Sequence, residues 1–134
     1  MRRYNYIVII TLFGRIPSKK NSKDIVCLGR TPKLFPSQKH KEWHLDASWQ
    51  LKLIQKDLPK QPLKEGEIES VVFTYYPPDR IKGDLSNKWQ SIEDLFKDCR
   101  IIEDDNWFVL GDLRLVFGGV DKANARAEIQ INLK

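Results

Sequence analysis

The stretch EIESVVFTYYPPDRIKGDLSNKWQSIEDLFKDC, residues 67–99, decides the fold. Residues 67–76 are β-branched and aromatic and alternate in part, which is the pattern of a strand. PPDRIKGD then interrupts with two prolines and a glycine, a connection rather than an element. Past the break the period changes. Leu85, Trp89, Ile92, Phe96 and Cys99 step by three and four residues with Leu95 beside them. That spacing predicts a helix from about Ser86 to Asp98, with Gln90, Asp94 and Lys97 on its opposite side.

Toward the N-terminus, YNYIVIITLF (4–13) reads as a strand apolar enough to be central, ended by Gly14. GRIPSKKNSKDIV follows as a basic loop broken by Pro17, Ser18, Asn21 and Ser22, and DIVCLG (24–29) returns as a short strand. RTPKLFPS (30–37) reads as a loop into a helix that starts near Ser37 as N-cap and runs to about Asp57. Trp43, Ala47, Leu51, Ile54 and Leu58 form its buried stripe, and Pro59 and Pro62 close it. Toward the C-terminus, LRLVFGG (113–119) and AEIQINL (127–133) are strands. In the second, Glu128, Gln130 and Asn132 alternate with Ile129, Ile131 and Leu133, giving one polar face. The order β(β)αβαββ predicts an α/β (α+β) fold, a single compact domain over 1–134 with a mixed β-sheet and two main helices.

A chain of 134 residues, 41% hydrophobic and 31% charged, is long enough for one real core and has the composition of a globular protein. Cys27 and Cys99 are too few and too far apart for a disulfide framework, so reduced core thiols in a cytoplasmic protein are expected. Arg2 and Arg3 ahead of an apolar run imitate a signal peptide. The run is short, however, contains Asn5 and Thr11, and lacks a small-residue cleavage site. No segment approaches the ~20 apolar residues of a membrane span, so no membrane partner is expected.

The net charge of +5 is unevenly spread. Residues 1–41 hold ten Lys or Arg and one acidic residue, Asp24, whereas residues 42–105 hold fourteen acidic and nine basic residues. A basic surface attracts polyanions, and clustered carboxylates repel them unless a cation intervenes. Mg²⁺ takes one or two carboxylates, keeps several waters, and completes its shell with phosphate oxygens. Asp84 before the helix and Asp104 and Asp105 after it would meet such an ion if the chain doubles back. The plainer alternative is that Asp84 caps the helix and Glu103-Asp104-Asp105 is a solvated turn. His40 and His44 share a helical face, but HKEWH has neither usual zincin order nor an evident third ligand, so a solvent- or phosphate-facing surface is expected. GRIPSKKNSK lacks P-loop spacing. Arg15, Lys19, Lys20 and Lys23 with Ser18, Asn21 and Ser22 read instead as a phosphate-contacting arm.

DLSNKWQSIEDLFKDCRIIEDDNW (84–107) resembles the central motif of the RusA family of Holliday-junction endonucleases: an Asp-Leu-x-Asn opening, a helix with an Asp-Leu pair, and a closing Asp-Asp. The early GRIPSKKNSK and the strand order are similar too, so the resemblance covers nearly the whole chain. It implies catalytic and metal-binding roles for Asp84 and Asp105, with Asp104 beside them, while Asn87 and Asp94 match the family's Asn and helix Asp. Two positions depart. Ser86 stands where the Escherichia-type member has a second catalytic Asp, and Gln90 where it has a functional Lys. The resemblance further implies a Mg²⁺ cofactor (Mn²⁺ as a substitute) and a homodimer that nicks two opposed strands of a four-way junction. DNA contacts are expected from Arg15, Lys19, Lys20, Asn21, Lys23, Asn87 and Lys88. The alternative is a catalytically weakened junction- or nucleic-acid-binding module, the reading that Ser86 favours. A subunit whose basic loop contacts an acidic protein stands behind both.

Overall fold

The computed structural model describes residues 6–17, 23–28, 31–36 and 38–134, with residues 23–28 and 31–36 placed by their backbone alone. Along the chain, β1 is Tyr6–Phe13, β2 Lys23–Leu28, β3 Thr31–Pro36, α1 Gln38–Gln55 and β4 Ile68–Tyr76. Then come α2 Leu85–Asp98, α3 Trp107–Leu110, β5 Asp112–Phe117 and β6 Arg126–Leu133. The main sheet has the order β1-β6-β4-β5. β6 pairs antiparallel with both β1 and β4, whereas β4 and β5 are parallel. This is the mixed sheet with two main helices that the sequence predicts.

The parallel pair is the consequence of residues 67–99. Parallel neighbours cannot be joined by a tight turn, so the chain must cross back over the sheet between them. α2 makes that crossing, and its stripe of Trp89, Ile92, Leu95 and Phe96 is buried on the same sheet face as Phe73, Tyr75, Ile129 and Ile131. α1 adds Trp43, Ala47 and Leu51 to this core and packs toward β1. Each large apolar side chain buried this fully is worth about 1.5–3 kcal/mol. The opposite sheet face carries Ile7, Ile9 and Phe13 exposed on β1 and half-buried Arg126, Glu128, Gln130 and Asn132 on β6. The polar alternation read in the last strand therefore holds.

Three elements differ from expectation. RTPKLFPS holds strand β3, which pairs antiparallel with β2 in a separate two-stranded ribbon. Its prolines hide the strand from a sequence reading, yet a ribbon has only edge strands, where a missing N–H is tolerated. α3 is a single turn capped by Asn106, whose side chain accepts from the Phe108 and Val109 amides. Gly111 ends it at a φ of +69°, where an added Cβ would collide with the Glu69 carbonyl oxygen. His40, expected on the surface, is buried, with its Nε2 3.5 Å from the Ser91 hydroxyl of α2. His44 is half-exposed and meets Asp98 at 2.9 Å. Among the described residues, no helix is long and apolar enough to cross a membrane.

Candidate functional site

α2 begins at Asp84, whose extended backbone and short acidic side chain make it the N-cap. Its Oδ1 accepts from the Ser86 amide at 2.9 Å and from the Ser86 hydroxyl at 2.8 Å. Ser86, the position of the expected second aspartate, thus completes a cap instead of doubling a charge.

Beside this cap the root of the basic segment is tied down. The Ile16 amide donates to the Tyr75 hydroxyl at 2.9 Å, Lys88 Nζ donates to the Ile16 carbonyl at 2.6 Å, and Ser91 donates to the Pro17 carbonyl at 3.0 Å. Lys88 is half-buried, and burial is the main force that lowers its pKa. Its ammonium therefore serves to hold the loop root against α2. Arg15 pairs with Asp79, whose carboxyl is held below its usual range first by the Ile81 amide and then by Arg15. A cavity of about 270 Å³ opens here, with Arg15, Tyr75, Asp84, Lys88 and Phe117 in its wall. Asn87 is half-buried in the first turn of α2. Lys19, Lys20 and Asn21 lie outside the described residues, and Lys23 is placed only as the first residue of β2.

At the other end, α2 stops in a Schellman turn. Arg100 takes a left-handed φ of 60°, its amide bonds the Lys97 carbonyl at 3.1 Å, and the Ile101 amide bonds the Phe96 carbonyl at 2.8 Å. Ile101 and Ile102 are then buried, and Leu63 grips the returning backbone through bonds to Ile101 and Glu103 at 2.9 and 2.8 Å. This reversal lays Asp104 and Asp105 back along α2.

Asp104 is committed to its own turn. Its Oδ1 accepts from the Asp105 amide at 2.8 Å and its Oδ2 from the Asn106 side chain at 2.9 Å. These bonds hold its carboxyl below the usual range, the Asp105 amide most of all. Asp105 reaches α2, where its Oδ2 accepts from Lys97 Nζ at 3.1 Å. Lys97 also lies 3.8 Å from Asp94, and its pKa is raised chiefly by Asp105. Asp105 also faces Glu93. Burial first, and the Asp105 charge second, push the Glu93 carboxyl from 4.5 up to about 7.

The structure brings Asp104 and Asp105 together and does not bring Asp84 to them. The parallel β4-α2-β5 connection puts the cap and the return at opposite ends of the helix. From Asp84 to Glu93 alone, α2 rises about 13 Å at ~1.5 Å per residue. Carboxylates sharing one Mg²⁺ each lie only ~2.1 Å from it. Among the described residues, no three His, Cys, Asp or Glu side chains converge as metal ligands.

The residue that sequence reading missed is Glu93. It stands one turn after Trp89 and one before Lys97 on the same side of α2. The buried Trp89 indole N–H lies close enough to Glu93 to favour its ionised form. The signal for Glu93 lay in its i+4 relation to Trp89, an acid set at the edge of an apolar stripe. No known family model matches the sequence, and no curated protein matches it.

Proposed function

We propose that the chain is a Mg²⁺-dependent endonuclease that resolves four-way DNA junctions by paired nicks, acting as a homodimer in the cytoplasm. The observation that carries this reading is the crowding of Asp105 against Glu93 on α2, in a protein of net charge +5 whose basic segment is rooted on the same helix. Carboxylates repel a polyanion unless a cation joins them to phosphate. Bound Mg²⁺ would neutralise phosphoryl charge and lower the pKa of an attacking water. Asp105 is the first choice of ligand, Asp104 holds the turn that presents it, and Asp84 is the family-matched carboxylate at the head of the helix. Arg15, Lys19, Lys20 and Lys23 supply the phosphate-facing charge. Because such binding releases counterions, affinity should fall steeply with salt.

A specific observation keeps a second reading in view. The Asp84–Ser86 cap replaces a carboxylate pair, as in a junction-binding module that has lost catalysis. One assay decides between them: cleavage of a synthetic four-way junction with Mg²⁺ or Mn²⁺. We expect wild type to nick, and Asp105→Asn and Asp84→Asn to bind without nicking. Loss of a direct ligand should slow cleavage by about 100-fold or more, since even outer partners of metal ligands are worth ~10–100-fold. Cleavage surviving both substitutions overturns the assigned residues. Salt-sensitive binding with no nicking at any metal concentration, rescued by Ser86→Asp, establishes the binding module.

A further inference from the structure

α1 is apolar on two faces. Trp43, Ala47 and Leu51 enter the core, as their spacing predicts. Leu45, Trp49 and Leu53, each one turn after the last, form a second row, and they are 62%, 60% and 74% exposed. A single exposed apolar side chain is ordinary. Three on successive turns are not, because the outer face of a surface helix is normally polar. At roughly 200 Å² for each large side chain, the row presents about 400 Å² of apolar surface to water. A stable interface takes about 800 Å² from each partner, apolar at its centre and polar at its rim. The row has the size of such a centre. Beside it, Gln50 accepts from the Phe13 amide at 2.8 Å and donates to the Phe13 carbonyl at 3.1 Å. That pair of bonds joins the row to the edge strand β1, where Phe13 is also exposed.

The ends of the row point to what covers it. Glu42 lies seven residues before Trp49 and Lys56 seven after it, and both are exposed. Steps of three and four residues place Glu42, Leu45, Trp49 and Leu53 along one side of α1, and Lys56 continues the row in the closing turn. The pattern is acid, Leu, Trp, Leu, base: alike in shape and opposite in charge about its middle. Turned end for end, such a row fits itself. Leu45 then meets Leu53, Trp49 meets Trp49, and Glu42 meets Lys56. A parallel copy would instead set like charges together, and a polyanionic surface would favour base at both ends. A two-fold axis produces the antiparallel match, because an isologous interface pairs residue i with j and j with i.

We propose that α1 pairs with α1 of a second copy of this chain, antiparallel about a two-fold axis at Trp49. This names the surface of the homodimer put forward above and rests on that reading for its purpose, but not for its test. Trp49 is the central anchor, flanked by two Leu45–Leu53 contacts, and two Glu42–Lys56 pairs fix the direction.

The test is the mass of the full chain without DNA, read by sedimentation equilibrium over micromolar to tens of micromolar protein. We expect wild type to form a two-chain species and Trp49→Glu to weaken it by about 100-fold or more, since each interface loses two central Trp side chains. Glu42→Lys and Lys56→Glu should each weaken dimerisation by at least about 5-fold, because every substitution turns two attractive pairs into repulsive ones. Glu42→Lys combined with Lys56→Glu should restore it, and circular dichroism should show all four variants folded. Wild type that stays a single chain at tens of micromolar overturns the proposal and leaves the row to a different partner. A dimer indifferent to Trp49→Glu overturns it too, as does a double charge variant no tighter than either single one. The two readings fail separately. Junction cleavage by a dimer that ignores these substitutions sinks this inference alone, whereas charge-swap-dependent dimerisation without nicking at any Mg²⁺ concentration sinks only the nuclease.

Discussion

At the head of α2, Asp84 takes two hydrogen bonds from Ser86, and neighbouring Arg15 and Lys88 are each met by an oxygen, of Asp79 and of the Ile16 carbonyl. In the C-terminal half of the same helix, Glu93 and Asp105 are pressed together, and one ammonium, Lys97, stands against both Asp105 and Asp94. Similar side chains are satisfied locally in one region and left in conflict in the other. The difference separates acid used to build a helix from acid held at some expense of stability. Residues in the first class should reveal themselves in melting temperature. Those in the second should reveal themselves in the pH dependence of stability, and removing the Glu93 charge should stabilise the protein at neutral pH.

Substitutions at three positions would break or sharpen this contrast. The largest effect is expected at Lys88. Lys88→Met keeps the apolar stem but removes the charged bond to Ile16, which should cost about 1–2 kcal/mol in urea unfolding. It should also loosen the root of the basic segment, read as faster amide exchange at Ile16. An unchanged midpoint would mean that the ammonium is not structural and return Lys88 to the DNA-contacting set.

Glu93→Gln should act in the opposite direction. A carboxyl raised from 4.5 to about 7 binds more protons folded than unfolded across that window, so stability from this group falls as pH rises through it. The penalty is absent below about pH 4.5 and complete above about pH 7. With the side chain half in water, the observable part is about 1 kcal/mol after solvent screening. In EDTA, Glu93→Gln should therefore melt higher than wild type at pH 8 and equal to it at pH 4.5. A variant less stable than wild type at pH 8 would mean that Glu93 is a structural acid like Asp84.

The smallest effect belongs to the cap, and it separates two roles of one residue. Asp84→Ala should lose about 1 kcal/mol and Asp84→Asn only a few tenths, because Asn caps nearly as well. Equal losses in thermal melts would show that the hydrogen-bond geometry at Ser86 is not what matters there.

Much of the architecture was legible because hydrophobic period is local. The change from alternation in 67–76 to steps of three and four in 85–99 marks β4 and α2, and the polar–apolar alternation of 127–133 marks β6. β3 was hidden because its prolines suit only an unpaired edge, and a single strand does not say whether it will be an edge. α3 is one turn long and has no period to read. His40 was read as surface because a histidine beside lysines looks solvated, and only the approach of Ser91 from α2 buries it.

The site divides along the same line. Sequence alone established that this chain carries carboxylates on both sides of one amphipathic helix and a basic segment near its start, since those are matters of composition and order. Which carboxylates share a place was decided by tertiary structure. The parallel pairing of β4 with β5 sends α2 across the sheet and keeps Asp84 a helix length away from the return. The Schellman turn at Arg100 and the grip of Leu63 then lay Asp105 on Glu93. Residues twelve apart in the chain become neighbours only when backbone hydrogen bonds reverse its direction, and no local pattern of side chains encodes that meeting.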